Sequence, residues 1–315
     1  MSPALTPRRC YICGRGDNPI IASEAIEHRY GKPVMPDSEY RFARCADCGT
    51  LYVDSDVTDA YLASVYEGEA LDEGATDFQV SHEDIRQLRV PEFQRHWRRL
   101  RDLRPPRPGD FLLDVGCQMG DFGAIAQADG VQPCGLELSA PYAEACRVRW
   151  GPAAIVHHGT FDTADFGRRF EYVTAFETLE HVCDPIAVLR QMAERLAPGG
   201  LLAISVPSSD YFHFKYWLLS RSPAATLLKP ILTRYRGLYA RQILPHTHVY
   251  NFSHASVVRL FERAGLQTMH ISLTGWHGAA GTVLSGVGRA LEALPTRRRV
   301  GFAPSLFAVA RAPGS

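Results

Sequence analysis

Residues 112–122 read LLDVGCQMGDF: an apolar strand closed by an acid, then a glycine-rich turn, then the start of a helix. Asp114 stands at the end of the strand, and Gly116 and Gly120 keep side chains out of the turn, so a ligand can meet bare backbone. The first turn of the helix that follows offers unpaired N–H groups. The spacing is G-x-x-x-G, without the three glycines of a dinucleotide pyrophosphate turn. An acid among those glycines repels a phosphate and suits a ligand with a cationic amino group.

Outward from this turn the chain alternates strands and helices. PCGLEL (133–138) reads as a second buried strand ending in Glu137, with Ser139 as N-cap of a helix over APYAEACRVRW. An acid at the second strand tip, about twenty residues after the glycines, is placed to accept hydrogen bonds from ribose hydroxyls. AIVHHG (154–159) and YVTAFE (172–177) read as strands three and four. Asp184-Pro185 opens a helix that is expected to stop at Pro198-Gly199-Gly200, before strand five at 201–207. Such alternation predicts an α/β, doubly wound parallel sheet with its ligands at the carboxyl strand ends, where Asp114, Glu137 and Glu177 fall.

The run from Asp114 to Gly120 resembles the first motif of class I methyltransferases, written D-x-G-x-G-x-G, with Gln118 in place of a usual glycine. FETLEHVCDPIAVLRQMAERLAPGGLLAISVP (176–207) is similar to the family's E-H-V turn, D-P helix start and P-G-G before strand five, so the resemblance covers roughly 110–275. It implies a Rossmann-like seven-stranded sheet and S-adenosylmethionine as cofactor. By position it assigns Asp114, Gly116, Cys117 and Gly120 to the methionine end, and Glu137 with Leu138 to the ribose. Thr160 and Phe161 would flank the adenine, and Ala175, Phe176 and Glu177 would form the floor under the sulfonium.

Two Cys-x-x-Cys knuckles, Cys10/Cys13 and Cys45/Cys48, are each followed by a glycine, Gly14 and Gly49. Four thiolates so spaced suit one tetrahedral structural zinc with no open position. The 31 residues between the knuckles leave room for a small β-rich insertion. Disulfides are the alternative, but Cys117, Cys134, Cys146 and Cys183 are scattered through predicted core, and no apolar signal segment is apparent. A cytoplasmic setting is therefore expected.

Of the 34 basic residues only three are lysine, a bias of composition that discounts single arginines as ligands. Net charge is zero and no run approaches the length of a membrane span. The expected organisation is a zinc-ribbon-like unit at 1–57, a helical connector at 58–109 and a methyltransferase domain at 110–315 with a helical lid insertion at 208–245. Tyr61 and Tyr66 in the connector are packed aromatics or closing elements over the site. The insertion interleaves Lys215, Arg221, Lys229, Arg234, Arg236 and Arg241 with apolar residues and holds one acid, Asp210. It suits an anionic partner, such as a nucleotide-linked sugar, or contact with a membrane surface that carries a lipid-linked acceptor; a plain helical hairpin is the alternative.

In LPHTHVYNFSHASVVRLFERAGLQ (244–267), Ser253 caps a helix that Gly265 ends, leaving His246 and His248 in the preceding loop. These two and His181 are the candidate bases for methyl transfer. A zinc unit ahead of such a domain resembles the deoxysugar C-methyltransferases, which carry an H-E-H-like loop; here Thr247 stands where the acid belongs. That substitution shifts the expectation to O-methylation of a sugar, glycan precursor or secondary metabolite, with carbon and nitrogen methylation as alternatives. A ribosomal RNA methyltransferase, a non-catalytic zinc-ribbon interaction protein and a nicotinamide dehydrogenase are further readings. The neutral charge and the acids Glu67, Glu69, Asp72, Glu73 and Asp77 argue against a nucleic-acid partner, DNA or RNA.

Overall fold

The computed structural model describes residues 9–25, 39–54, 82–213, 248–275 and 303–314. Its main sheet has seven strands: β4 (Phe111–Val115), β5 (Gln132–Glu137), β6 (Ile155–His158), β7 (Phe170–Phe176), β8 (Leu196–Pro207), β10 (Gln267–Thr274) and β11 (Ser305–Arg311). Their order is β10-β11-β8-β7-β4-β5-β6. Strands β4 to β8 run parallel, and β11 lies antiparallel between β8 and β10. This is the doubly wound α/β sheet that the alternation predicted, with the seven Rossmann-like strands that the resemblance implies.

Helices cover both faces, so the central strands are buried and mainly apolar. Period-two alternation in β7 sends Tyr172 and Phe176 to one side and Val173 and Ala175 to the other. The first pair packs with Trp97 and Leu100 of α1 (His82–Leu103) and Phe122 and Ala126 of α2 (Asp121–Gln127). The second pair meets Ile186, Leu189 and Met192 of α4 (Pro185–Glu194) and Val257, Leu260 and Phe261 of α5 (His254–Arg263). Helix α3 (Ala140–Trp150) packs beside β5 and β6.

A second sheet, β1-β2-β3-β9, joins β1 (Ile20–Ala25), β2 (Glu39–Arg44) and β3 (Leu51–Val53) to β9 (Tyr250–Asn251). The β1–β2 hairpin is the β-rich insertion expected between the knuckles. The fourth strand of this sheet comes from the loop that carries His248.

Two local expectations change. The segment Pro198-Gly199-Gly200 does not end a helix: α4 stops at Glu194, and β8 already begins at Leu196. Those three residues sit in a bulge, because β7 pairs Phe170 with Leu196 and then Tyr172 with Leu201. Ser139 occupies the N-cap position of α3, but its side chain makes no capping bond, and its N–H is bound by Glu137 instead. Asp184 and Ser253 do cap α4 and α5, the latter in a capping box with Ser256.

Trp150 fixes how the glycine turn meets the sheet. Its indole N–H donates to the Gly120 carbonyl at 2.7 Å. A Cβ added at Gly120, Gly123 or Gly135 would lie 2.8, 2.2 or 3.1 Å from the indole ring. Alanine in place of a helical glycine usually stabilises by up to about 1 kcal/mol, but the clash at position 123 reverses the sign. Gly123→Ala is therefore expected to lower the unfolding free energy by about 1–3 kcal/mol, read from the urea midpoint.

Candidate active site

The carboxyl ends of β4, β5, β6 and β7 open on one edge of the sheet, and the predicted cofactor residues gather there. The turn after β4 is built from left-handed residues: Gly116 at φ 71°, Gln118 at φ 47° and Gly120 at φ 75°. A Cβ on Gly116 would stand 2.6 Å from the Thr178 hydroxyl, so glycine lets the β7 turn close against the β4 turn. Glu137, at the tip of β5, accepts from the backbone N–H of Gln118 and of Ser139 at 2.8 and 2.9 Å, tying the glycine turn to α3. Burial raises its carboxyl above the ordinary value, and those N–H groups pull it back.

Asp114 is buried and accepts from the Thr174 hydroxyl at 2.7 Å. Burial, helped by Glu137, pushes it up to about 7. Cys117 faces inward, packed with Ala143, Cys146 and Trp150, so what it presents to the edge is backbone. The Leu138 carbonyl meets His158 Nε2 at 3.0 Å. Thr160 and Phe161 follow β6; the Thr160 N–H is held by the Thr163 hydroxyl, and Phe161 is half-buried against the main core. Phe176 packs edge-on against Phe122 with ring centroids 4.6 Å apart. Glu177 leaves β7 with φ 50° and accepts from the Ser205 hydroxyl at 3.0 Å.

Arg89 was not anticipated. It reaches from α1 to donate to the Gln118 side-chain oxygen at 2.8 Å, and its charge acts on Glu177 and Glu180. No motif announces it, since its place depends on how α1 crosses the sheet edge. The donor set at this edge combines a buried acid, a strand-tip acid and a guanidinium over a glycine turn. It fits a ligand that carries an ammonium, a diol and a carboxylate.

The candidate histidines partly converge. His181 and His248 lie edge-to-face with ring centroids 4.5 Å apart. His246 lies outside the described residues, as do Tyr61, Tyr66 and the insertion beyond residue 213. The two rings meet because the Val249 N–H donates to the Glu180 carbonyl at 2.7 Å while the Val53 N–H donates to the Val249 carbonyl at 2.9 Å. Burial, then the neighbouring His181, holds His248 well below the usual histidine value. Glu180, inside the E-T-L-E-H run but not singled out by the sequence, brings a carboxyl oxygen within 4.8 Å of a nitrogen of each ring.

The four knuckle cysteines also converge. Cys10 and Cys48 sulfurs are 3.6 Å apart, Cys13 and Cys45 sulfurs 3.4 Å, and all four lie within 4.8 Å of one another. A tetrahedral zinc with bonds of about 2.3 Å sets sulfurs about 3.8 Å apart, so the set fits that ion. Gly14 and Gly49, both at φ 78°, donate their N–H to the Cys10 and Cys45 carbonyls and turn the chain back to the sulfurs. The knuckles dock on α5: the Ser253 hydroxyl donates to the Cys48 carbonyl, Arg259 pairs with Asp47, and Arg263 donates to the Tyr11 and Ile12 carbonyls.

The sheet order and its ligand edge define a class I methyltransferase, an enzyme dependent on S-adenosylmethionine. The chain belongs to the methyltransferase-domain family, which it matches over residues 87–271. It is 30% identical over 176 residues to the ubiquinone biosynthesis O-methyltransferase of Thiobacillus denitrificans, a match covering 54% of this chain and 70% of that one. With 27-O-demethylrifamycin SV methyltransferase of Amycolatopsis mediterranei it shares 35% over 113 residues, 34% of this chain and 42% of that one. With the Xanthomonas campestris ubiquinone biosynthesis O-methyltransferase the match spans 56% of the relative, at 30% identity over 45% of this chain. In fold it is similar to magnesium protoporphyrin IX methyltransferase from Synechocystis with bound SAH, with a TM-score of 0.50, 16% identity, and coverage of 81% of this chain and 100% of that one. Among the described residues no helix is long and apolar enough to cross a membrane.

The raised carboxyl of Asp114 sets a pH dependence. Between its ordinary value of 3.8 and about 7 the folded chain holds more proton than the unfolded chain, so stability falls as pH rises through that window. Asp114→Asn keeps the oxygen that Thr174 binds and removes the charge. Its gain in stability over the parent should grow from near zero at about pH 4 to its full size near pH 8, as measured by urea unfolding across that range.

Proposed function

We propose that this enzyme methylates a hydroxyl on a small acceptor, most simply a sugar, glycan precursor or other secondary metabolite. The observation that carries it is the His181–His248 pair, whose rings meet beside the turn that follows β7, because a hydroxyl needs a base close to the line of methyl approach. Support comes from the relatives, which are named as O-methyltransferases or as the methyltransferase of an O-demethylated rifamycin. Bound S-adenosylmethionine supplies an electrophilic methyl group on a sulfonium. Asp114 and the glycine turn receive the ammonium end, Arg89 pairs with the carboxylate, and Glu137 takes the ribose hydroxyls. Leu138 stands beside Glu137 at the ribose, Thr160 and Phe161 border the adenine, and Phe176 and Glu177 form the floor. His181 or His248, with His246 as a third candidate, accepts the proton of the acceptor. Carbon or nitrogen methylation uses the same edge with a different acceptor.

Cys10, Cys13, Cys45 and Cys48 hold one structural zinc in this reading, and the ion braces the sheet that positions His248. The basic stretch within 208–245 recognises an anionic acceptor, such as a nucleotide-linked or lipid-linked sugar. The cytoplasm is the expected compartment for a zinc–thiolate unit.

Calorimetric titration tests the cofactor reading: SAH should bind with micromolar affinity and NAD should not. Glu137→Ala should weaken SAH about tenfold or more, the loss of a charge-assisted hydrogen-bonded pair. His248→Ala should leave SAH affinity nearly unchanged while lowering turnover once an acceptor is found; unchanged turnover removes His248 from the mechanism. Metal analysis should find close to one zinc per chain, and Cys45→Ser should lose it together with thermal stability. A folded, zinc-free parent protein overturns the zinc assignment.

A further inference from the structure

The H-T-H loop lacks the acid that a histidine base usually leans on, because Thr247 occupies its place. The fold supplies a carboxyl from elsewhere. Glu180 sits on the turn after β7, wholly buried, with its carboxyl against that of Glu177. Its Oε1 lies 3.7 Å from His181 Nε2. Glu180, His181 and His248 each bring a polar atom within 4.8 Å of the others, and the buried Nδ1 of His248 is unpartnered. Two carboxyls buried side by side cost a chain several kcal/mol in general terms, so their persistence here calls for a use.

We propose that Glu180 is the missing acid of this site, a positioning residue that with Glu177 orients and charges His181, the base that takes the proton of the acceptor. The proposal rests on the methyltransferase reading above and deepens it.

The surroundings make one negative charge available. Burial first, and the Glu177 carboxyl second, raise Glu180 well above the carboxylate range. Glu177 is itself raised by burial and by Glu92, against the pull of Arg89 and of the Ser205 hydroxyl. Two such carboxyls side by side do not readily both ionise, so the first charge on the pair forms far more easily than the second. His181 is the more open of the two histidines, with a side chain 20% exposed, while burial keeps His248 neutral behind it.

In the transfer step a bond forms between the acceptor atom and the methyl carbon. The carbon–sulfur bond breaks with its electron pair left on sulfur as a neutral thioether. The acceptor's proton passes to the His181 imidazole, and the resulting cation faces the shared charge of Glu177 and Glu180. Opposite charge at this range, away from bulk water, raises the basicity of the imidazole. The same support serves an acceptor whose proton leaves from carbon, so Thr247 by itself no longer separates oxygen from carbon acceptors.

The test needs no acceptor. Histidine resonances of the zinc-loaded protein, saturated with SAH, are followed by NMR against pH in the parent, Glu180→Gln and Glu180→Asp. Glu180→Gln should move the His181 midpoint to lower pH by about one unit, and Glu180→Asp should restore most of it. An unchanged midpoint in folded Glu180→Gln overturns the proposal, and if that variant does not fold, an unchanged midpoint in folded Glu180→Ala, which also removes the carboxyl, does so. Titration with Mn2+ alone, read by electron paramagnetic resonance, should show no stoichiometric uptake that Glu180→Gln abolishes; such uptake also overturns it, since the ring nitrogens would then be ligands. Loss of SAH binding in the parent protein would instead sink the methyltransferase reading, so the two failures are distinguishable.

Discussion

The hydrogen bond from the Trp150 indole to the Gly120 carbonyl, made in a slot that three glycines leave open, sets the position of everything at the ligand edge. The indole fills the space beside β5 and at the start of α2, so the turn after β4 cannot relax toward the sheet. Glu137 then finds the Gln118 N–H on one side and the Ser139 N–H on the other. A single large side chain at the end of α3 thereby converts a glycine-rich turn, loose in isolation, into a fixed cradle. Glycine is needed here for packing as much as for ligand access, and both demands fall on the same residues.

The N-terminal unit is joined to this edge by backbone as well as by side chains. Strand β3 pairs with β9, and Val249 is bonded on one side to Val53 and on the other to Glu180. The knuckles, residues 248–251 and the turn after β7 are therefore bonded into one unit around His181 and His248. Ser253 serves twice, capping α5 and donating to the Cys48 carbonyl. A folded knuckle pair is thus a condition for the geometry of the histidines, although no cysteine touches either ring.

Electrostatics at the edge follow from burial. Asp114, Glu137, Glu177 and Glu180 all lie above the ordinary carboxylate range, each chiefly through loss of water. Arg89 is the cation set against two of them. Such a concentration of buried acids marks this edge as a candidate functional site.

Much of this was legible along the chain because its causes are local. Strand and helix positions follow from apolar periodicity, the Asp184 and Ser253 caps from short polar side chains ahead of helices, and the turn from left-handed glycines. The cysteine knuckles and the carboxyl-edge acids could be named from spacing alone. What only the tertiary structure decided are contacts between residues far apart in sequence. The bulge at Pro198-Gly199-Gly200 comes from register with β7. Arg89 reaches Gln118 through the crossing of α1, and Glu180 meets His248 through the pairing of β3 with β9. Periodicity fixes which face of an element is buried; which distant side chain it meets there is set by packing, and that is where the acid absent from position 247 was found.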